Sequence, residues 1–422
     1  MTLRTITPVA VLALVVVIAL ATGFGLLFRM SYALALALVT GFVIAWTNQR
    51  GLSATVERPK GRTQSGEYFE EHIAVRNNGK LPGWSVEIEE PSDLPGHALG
   101  GVVDIKGRPG RRGPAAPSGA TLTVRTLCSR RGVFHVGPVK LISRDPLGFF
   151  RFARSFGEQH KVIVYPAMVD LPRFHMPAVE LPGERNSRNI SYQSALQAFS
   201  VRDYVHGDAL NRVHWPSTAH HGKLMVKEFE AARSSRVWII VDMERKVQAG
   251  QGTETTDETA SSAAASIARR FLTLDLPVGL ICHGDSRCFL PAYRSSMQLE
   301  RILDALALVK PEGETPLDRV LIDEERAIGR YDSLIVISPS LERKWVALLG
   351  DLLRRHASAC VVSIDPAGFG GRDNAVPFYA ELAQQRVASC VVKRGEHLSE
   401  ALATRGSVSG GREWLANGSA LL

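Results

Sequence analysis

The run RVWIIVD, residues 236–242, decides how the second half of this 422-residue chain is expected to fold. Its apolar centre is rich in β-branched residues, a composition typical of a strand that is buried on both faces of a parallel sheet. A loop and the amphipathic helix pattern ETASSAAASIARRFL follow it. The change from a buried strand to a helix predicts the first unit of an α/β domain.

The same alternation continues towards the C-terminus. Strand-like runs are PVGLICH, SLIVIS and SACVVSID, and helix-like runs are SSMQLERILDALALV, TPLDRVLIDEERAI and LERKWVALLGDLLRRH. This pattern predicts a doubly wound α/β domain over residues 236–405, followed by a tail at 406–422. Such sheets bind ligands beyond the carboxyl ends of their strands, where Asp242 and Ser338 are expected. No glycine-rich phosphate loop follows the first strand, which disfavours nucleotide binding.

Immediately before this domain, the stretch VRDYVHGDALNRVHW (201–215) concentrates charged and aromatic residues. Gly207 supplies a turn, and Asp208 is suited to cap a short helix, Ala209 to Trp215, that Pro216 would stop. Arginines that pair with carboxylates, and aromatic rings with one polar tip, suit either a charged joint between domains or a docking surface for a partner. The residues assigned to this joint or docking surface are Arg202, Asp203, Tyr204, Gly207, Asp208, Arg212, His214 and Trp215.

A catalytic interpretation of the same stretch would use His214 as a base and Asp208 as the carboxylate that orients it. A hydrolase also needs a nucleophile or a metal ion. Ser200 and Ser217 lack the context of a nucleophile elbow, and the nearby histidines do not match a familiar zinc spacing. No catalytic residue is therefore assigned, and a hydrolase that uses the Asp208/His214 region stays the alternative.

The part of the chain before this stretch has a different pattern. Residues 51–175 alternate apolar and polar side chains in short runs such as EHIAVRNN, WSVEIEE, TLTVRTL and KVIVYP, separated by turn-forming residues. This pattern predicts a small β-sandwich-like module. The Pro-, Gly- and Arg-rich segment Gly96 to Gly119 is expected to be an exposed, solvated loop. Residues 176–235, which include the dense stretch, connect the two domains.

The first fifty residues predict a transmembrane helical hairpin. Pro8 to Phe28 and Met30 to Gln49 are uncharged apolar runs, each about the ~20 residues that a membrane-spanning helix needs. Arg29 alone lies between them, whereas Arg4 precedes the first run and several basic residues follow the second. Because cytoplasmic flanks are rich in Lys and Arg, both ends of the hairpin are expected in the cytoplasm. The prediction is a multi-pass protein of the inner (plasma) membrane, in contact with the bilayer through residues 8–49, whose soluble region is cytoplasmic.

Composition excludes several classes of function. The formal charge of +8, from 50 basic and 42 acidic residues, is spread along the chain without a basic helix, a finger or an aromatic-interleaved basic strand, so we expect no nucleic-acid binding. The five cysteines are scattered and form no C-x-x-C pair, which argues against a disulfide framework or a cysteine zinc site. Their number and spacing suit a reducing compartment.

Several motifs, in order, resemble a bacterial family known as domain of unknown function 58. They are Arg131-Gly132, Asp145-Pro146-Leu147-Gly148, Val164-Tyr165-Pro166, Arg202-Asp203-Tyr204 with Gly207-Asp208, and Arg212-x-His214-Trp215. The resemblance is strongest over residues 121–230 and extends to the rest by layout, except that His220 stands where we expect the family to prefer arginine. It implies a C-terminal fold like the von Willebrand factor A domain, and a protein often encoded beside a MoxR-type AAA+ ATPase, for which it looks like an adaptor.

The resemblance also implies where a divalent cation would bind in a von Willebrand A domain. The corresponding positions are Asp242, Thr315 and Ser338. Asp242 is in place, but the two serines that follow it in that fold are replaced, and Ser338 stands where an aspartate is expected. A hard cation prefers several anionic oxygen ligands, so these positions are expected to be a degenerate metal site that binds neither a metal nor another cofactor.

The sequence therefore predicts an α/β protein with two N-terminal transmembrane helices, a β-sandwich-like module and a von Willebrand A-like domain. Its expected function is that of a non-enzymatic, membrane-anchored adaptor or scaffold for a MoxR-type ATPase in envelope, stress or complex-assembly processes. A hydrolase and a purely structural envelope component are the alternatives. The client and the oligomeric state are left open.

Overall fold

The computed structural model describes residues 3–59, 61–78, 83–105, 119–174, 200–205, 213–228, 236–329, 332–354, 358–371 and 375–403. The chain divides into two compact units, residues 1–167 and 168–422. Each unit has its own sheets and its own apolar core. The finer division predicted from the sequence stays a prediction.

The first unit begins with two helices and continues with short strands. The helices are α1 (Leu3–Thr22) and α2 (Gly25–Gly51). The strands are β1 (Leu52–Glu57), β2 (Arg62–Gln64), β3 (Tyr68–Asn77), β4 (Gly83–Glu90), β5 (Leu99–Ile105), β6 (Gly119–Leu127), β7 (Gly132–Val136), β8 (Val139–Arg144), β9 (Arg151–Phe156) and β10 (His160–Tyr165). By length and composition, α2 can cross a membrane. The apolar part of α1, Ile6–Thr22, is a shorter apolar helix.

Among the described residues of this unit, the strands form three sheets with the orders β1-β3-β6, β5-β4-β8-β9 and β2-β10-β7. Alternating side chains of β3 are buried, as the period-two pattern of its sequence predicts. Ile73, Ile88 and Leu141, from three different strands, meet in one buried cluster, so the first two sheets share a core. Strands β3 and β4 follow each other in the chain but pair with different partners.

Two sequence expectations for this unit are wrong. Arg29 was expected in the turn between the two apolar helices, but α1 ends at Thr22, Gly23 has a left-handed backbone conformation, and Arg29 lies inside α2. The second concerns a strand. Strand β5 lies inside the segment Gly96 to Gly119, which was expected to be a loop, because its Leu-Gly-Gly-Val-Val run pairs with β4. Two glycines in that run hide the strand from a pattern search, since glycine is uncommon in strand interiors. The basic run 106–112 of the same segment lies outside the described residues.

The second unit begins with a small lobe and continues as alternating strands and helices. The lobe has β11 (Ser200–Asp203), α3 (Trp215–His221) and β12 (Met225–Glu228). The strands that follow are β13 (Val237–Val241), β14 (Gly250–Gln251), β15 (Glu254–Thr255), β16 (Val278–His283), β17 (Arg287–Tyr293), β18 (Ser333–Ser338), β19 (Ser358–Ile364) and β20 (Ala388–Val392). The helices are α4 (Thr256–Thr273), α5 (Ser296–Leu308), α6 (Leu317–Glu324), α7 (Arg343–Leu353), α8 (Val376–Gln384) and α9 (Leu398–Ala401).

In the described residues, the main sheet of this unit has the order β17-β16-β13-β18-β19-β20. The strand RVWIIVD forms β13 at its centre, where every residue from Val237 to Val241 is buried. Neighbours β16 and β18 both run parallel to β13, as the alternation of strands and helices predicts. Strand β17 is the exception, because it pairs antiparallel with β16 at the edge. Chain order reverses between β13 and β18, which makes the carboxyl ends of these two strands the topological switch point of the sheet.

Candidate functional site

Strands β11 and β12 pair antiparallel and, with α3, form a small lobe. In the chain, this lobe directly precedes the main sheet. The register places Arg202 opposite Val226 and Asp203 opposite Met225. The amide of Tyr204 donates to the Leu224 carbonyl (2.9 Å), and the amide of His214 donates to the Met225 carbonyl (2.8 Å). Both ends of the dense charged stretch are therefore held by the backbone of the same short segment.

Helix α3 begins where the sequence analysis expected it to end. His214 is its N-cap, Trp215 is its first residue, and Pro216 lies in the first turn, where proline has no amide to lose. The predicted helix was to end at Trp215, and this is wrong for two of its residues. Val213 forms an isolated β-bridge with Val226, and His214 precedes the first residue of α3. The position expected to stop a helix starts one instead.

His214 has a structural role that the sequence did not suggest. Its Nδ1 lies 2.7 Å from Ser217 Oγ and accepts the Ser217 amide at 3.4 Å. This arrangement caps the first turn of α3 in the way that a serine or aspartate usually does. A hydrolase would use the same nitrogen to activate Ser217, and Asp208, the carboxylate that would orient the His214 ring, lies outside the described residues.

This lobe exposes three large apolar side chains. Trp215 is 67% exposed, Val205 61% and Leu224 40%. Val205 follows Tyr204, whose amide bonds the Leu224 carbonyl, and Trp215 follows His214, whose amide bonds the Met225 carbonyl. The backbone at Leu224 and Met225 therefore holds the residues next to Val205 and Trp215. Asp203 and Lys223 form an exposed ion pair (2.7 Å) beside them. We call Asp203, Val205, Trp215, Lys223 and Leu224 the lobe surface.

Some residues assigned to this region lie outside the described part of the chain. These are Gly207, Asp208 and Arg212; for Arg202 the structure describes the backbone only. Tyr204 is half-buried, whereas Trp215 is mostly exposed. Within the described residues, an exposed Trp215 suits a docking surface better than a closed joint, because a joint would bury its ring.

A second polar group lies at the switch point of the main sheet. Asp242 follows β13 and Ser338 ends β18, and the Ser338 hydroxyl donates to Asp242 Oδ2 (2.6 Å). The amide of Glu244 donates to Asp242 Oδ1 (3.0 Å). Burial raises the pKa of Asp242 to about 6, although the bond from Ser338 lowers it. Both oxygens of this carboxyl group thus already accept bonds from the protein.

The loop that carries Thr315 lies beside Asp242. The amide of Arg245 donates to the Gly313 carbonyl (2.9 Å), and the amide of Gly313 donates to the Met243 carbonyl (3.0 Å). The structure therefore brings the three positions implied by the resemblance to one edge of the sheet. Whether a cation binds there stays a prediction.

Sequence reasoning missed two acidic residues at this edge. Glu244 was treated only as a replacement for a serine, yet it is a buried carboxylate. Burial and the nearby charge of Glu342 raise its pKa. The spacing Asp-x-Glu after a buried strand was the available signal for Glu244. Glu342 is the residue directly before α7, and no sequence pattern pointed to it.

A third feature is the packing of α2 against the β8–β9 hairpin. Asn48 Nδ2 donates to Ser143 Oγ (3.0 Å). The Phe42 ring packs edge-on against the rings of Phe150 and Phe152, with 5.5 Å between ring centroids in each pair. At the hairpin tip, Asp145 is buried and accepts the Phe150 amide at 2.6 Å. The other face of α2 keeps large apolar side chains exposed, including Met30, Tyr32, Leu36, Val39, Val43 and Trp46.

These features define the class of protein: a mixed α/β chain with an apolar N-terminal helix, a β-rich part and a domain built on a largely parallel sheet. A family model described as "Protein of unknown function DUF58" matches residues 200–379. The match covers the lobe and most of the sheet, and it confirms the resemblance over that range. The motifs quoted from residues 131–166 lie outside it.

Individual relatives are distant. "Uncharacterized protein YeaD" from Bacillus subtilis (strain 168) is 25% identical over 211 residues, which are 49% of this chain and 50% of that protein. Among solved structures, "von Willebrand factor type A from Catenulispora acidiphila" is 11% identical, with 41% of this chain and 42% of that chain covered and a TM-score of 0.28. The CARDB domain of the PF1109 protein from Pyrococcus furiosus is 13% identical, with 27% and 91% covered and a TM-score of 0.19.

Proposed function

We propose that this protein is a membrane-anchored, cytoplasm-facing adaptor that presents the lobe surface to a MoxR-type AAA+ ATPase. The observation that carries the proposal is the exposure of Trp215, 67%, at the start of α3. An exposed tryptophan that is flanked by two other apolar side chains is costly to keep in water. Tryptophan is also the residue type most enriched among the side chains that anchor protein interfaces.

The surroundings of Trp215 support an interface. Val205 and Leu224 are further exposed apolar side chains of the same lobe, and Asp203 and Lys223 form an exposed ion pair there. An apolar centre with a polar rim is the usual anatomy of a protein interface. A surface ion pair contributes little to folding stability, so selectivity for a partner is its more useful role.

The N-terminal helices supply the anchor of the proposed adaptor. Helix α2 is long and apolar enough to cross a membrane. In the proposal α1 crosses as well, as the first arm of a helical hairpin, and basic residues after Gln49 keep the rest of the chain in the cytoplasm. The ATPase is identified through the family resemblance, because such proteins are often encoded beside one.

The test is binding of the full-length chain, in detergent micelles, to a MoxR-type ATPase from the same source. We expect the wild type to bind and Trp215→Ala to bind about tenfold more weakly or worse, since truncating an interface anchor costs at least about 1–2 kcal/mol. Because Trp215 is mostly exposed, its replacement leaves the fold intact, which an unchanged melting temperature verifies.

Tyr293→Ala is the matched control. Tyr293 is an exposed aromatic residue, 54% exposed, on the edge strand β17 of the same unit. Binding is expected to be unchanged in this variant. Equal binding of the wild type and Trp215→Ala would remove the lobe surface from the interface, and absence of binding by the wild type would rule out the proposed partner.

A further inference from the structure

The core of the first unit contains a cluster of buried charges that the proposed function does not use. Glu71 on β3, Glu90 at the end of β4 and His97 before β5 all have side chains that are 0% exposed. Arg58, just after β1, reaches into the same cluster with a side chain that is 9% exposed. If both carboxyl groups are ionised and His97 is neutral, one guanidinium leaves the cluster with an excess negative charge, which is expensive in an apolar core.

Three donor atoms in this cluster converge on one point. His97 Nε2 is hydrogen-bonded to Glu90 Oε2 (3.2 Å), a bond that an ion would replace, and it lies 3.6 Å from Glu71 Oε1. The donor atoms of Glu71, Glu90 and His97 all lie within 4.8 Å of one another. Ligands about 2.0 Å from a tetrahedral zinc ion are separated from each other by about 3.3 Å, which is close to the two shortest separations here.

The other polar atom of each of these three side chains forms a hydrogen bond to a residue outside the converging group. Arg58 Nε donates to Glu71 Oε2 (3.1 Å), and Arg58 also bonds Glu90 Oε1. His97 Nδ1 lies 2.9 Å from Thr126 Oγ1. Each of the three residues is therefore oriented by a bond to its far atom while its near atom points inward. Second-shell bonds of this kind orient the ligands of metal sites in proteins.

One of the converging atoms lacks a partner. Glu71 Oε1 is buried and accepts no hydrogen bond. A carboxylate oxygen in that position loses its hydration without compensation unless a cation or a proton occupies the space beside it. Its neighbour at 3.6 Å, His97 Nε2, is itself a metal-ligating atom type.

We propose that Glu71, Glu90 and His97 form a binding site for one divalent transition-metal ion of the zinc class. One imidazole and two carboxylates provide three ligands and leave the fourth tetrahedral position for water. Arg58 does not compete for the ion, because it bonds the two outer oxygens. The ion would tie β3, β4 and the segment before β5 together within the first unit.

An entry route to this site lies beside Arg58. Arg58 lines an open depression of the surface together with Glu57, Glu70 and His72. A swing of the Arg58 side chain would open the cluster to this depression, and the two exposed acidic residues attract cations to it. The rival occupant of the space beside Glu71 Oε1 is a proton, and the experiment is designed to separate the two.

The test is zinc binding by the full-length chain after treatment with a chelator. The background for all proteins is H220Q/H221Q, which removes an adjacent and exposed histidine pair as a source of adventitious zinc binding. Isothermal titration calorimetry is expected to give one equivalent of Zn²⁺ per chain. Glu71→Gln and His97→Gln are expected to weaken this binding by about 100-fold or more, beyond the usual loss from a second-shell change.

His135→Gln is the matched control, because His135 and Asp93 form an exposed histidine–carboxylate pair in the same unit. Its zinc affinity is expected to equal that of the background protein. Equal affinity in Glu71→Gln or His97→Gln would overturn the proposal and assign the cluster to a proton-balanced ion network.

A spectroscopic measurement on the background protein does not depend on the folding of any site variant. Zinc-edge X-ray absorption is expected to show one imidazole and otherwise oxygen ligands, without sulfur. Sulfur ligands would assign the bound zinc to cysteine instead of this cluster, and the absence of bound zinc would leave no ion to assign; either result would overturn the proposal.

Discussion

At the scale of single residues, Asp242 is a buried carboxyl group whose charge is sensitive to mildly acidic pH. Burial holds its pKa at about 6, against an ordinary value of 3.8. A raised pKa in the folded state means that the folded protein keeps this proton longer than the unfolded chain does. The corresponding stability is fully present below pH 3.8 and is lost as the pH rises to about 6.

We therefore expect Asp242→Asn to change how stability depends on pH. Two pKa units correspond to about 3 kcal/mol, so the variant should gain about that much relative to wild type between pH 4 and pH 7. The asparagine cannot ionise, and its amide can still bond Ser338. Melting temperatures of both proteins across this range measure the effect.

Asp323→Asn is the control for this comparison, because Asp323 is an exposed aspartate on α6. Its pH profile should run parallel to that of the wild type. A profile of Asp242→Asn that also runs parallel would show that Asp242 stays ionised in the fold, and would restore it as a potential cation ligand.

The sequence predicted this site only in part. Asp242 could be placed because a fully apolar run of residues ends directly before it. Its bond to Ser338 depends on the neighbourhood of β13 and β18, and nothing in either run encodes which strands become neighbours. Glu342 lies in a loop, where no periodic pattern exists to place it. The position of Asp242 at the end of a strand was predictable from the local sequence, whereas its pairing with Ser338, which depends on the order of strands in the sheet, was not.

At the scale of elements, the contact between α2 and the β8–β9 hairpin depends on a glycine. A Cβ atom added at Gly41 would lie 3.2 Å from Asp145 Oδ2. Asp145 in turn accepts the amides of Leu147 and Phe150 at the hairpin tip. A large side chain at residue 41 must therefore displace either the helix or the tip.

We expect Gly41→Leu to destabilise this packing by about 1–3 kcal/mol, the usual effect of overfilling a packed site. The specific measurement is hydrogen exchange of the peptide 145–150 in detergent, which should become faster because its amides lose their carboxylate acceptor. Val39→Leu is the control, since Val39 is 60% exposed on the same helix. Unchanged exchange in Gly41→Leu would mean that α2 does not rest on the hairpin.

Elements also differ in how well their sequences predicted them. Helices α4, α5 and α7 and the central strands follow from periodicity, because each helix buries an apolar face against the main sheet. Strand β17 was missed, since its residues are only partly buried at the edge of the sheet. Helix α3 was displaced because Pro216 was taken as a stop, although proline is equally suited to the first turn.

At the scale of the whole molecule, the proposed helical hairpin makes a prediction about both ends of the chain. If α1 and α2 both cross the membrane, the N-terminus and the C-terminal unit lie on the same, cytoplasmic side. If α2 alone crosses, the N-terminus lies on the opposite side. The charge distribution favours the first arrangement, because the turn between α1 and α2 (Gly23 and Phe24) carries no charge and Arg29 is the only charged residue in the first half of α2.

Reporter fusions at each terminus distinguish these arrangements in a bacterial host. We expect green fluorescent protein to fluoresce, and alkaline phosphatase to be inactive, at either end of the chain. Moving the phosphatase to the turn near Gly23 should make it active, which controls for its export. An active phosphatase at the N-terminus alone would leave α2 as a single crossing helix. An active phosphatase at the C-terminus would place the lobe surface on the outer side of the membrane, out of reach of any cytoplasmic ATPase, and would refute the proposed function together with the topology.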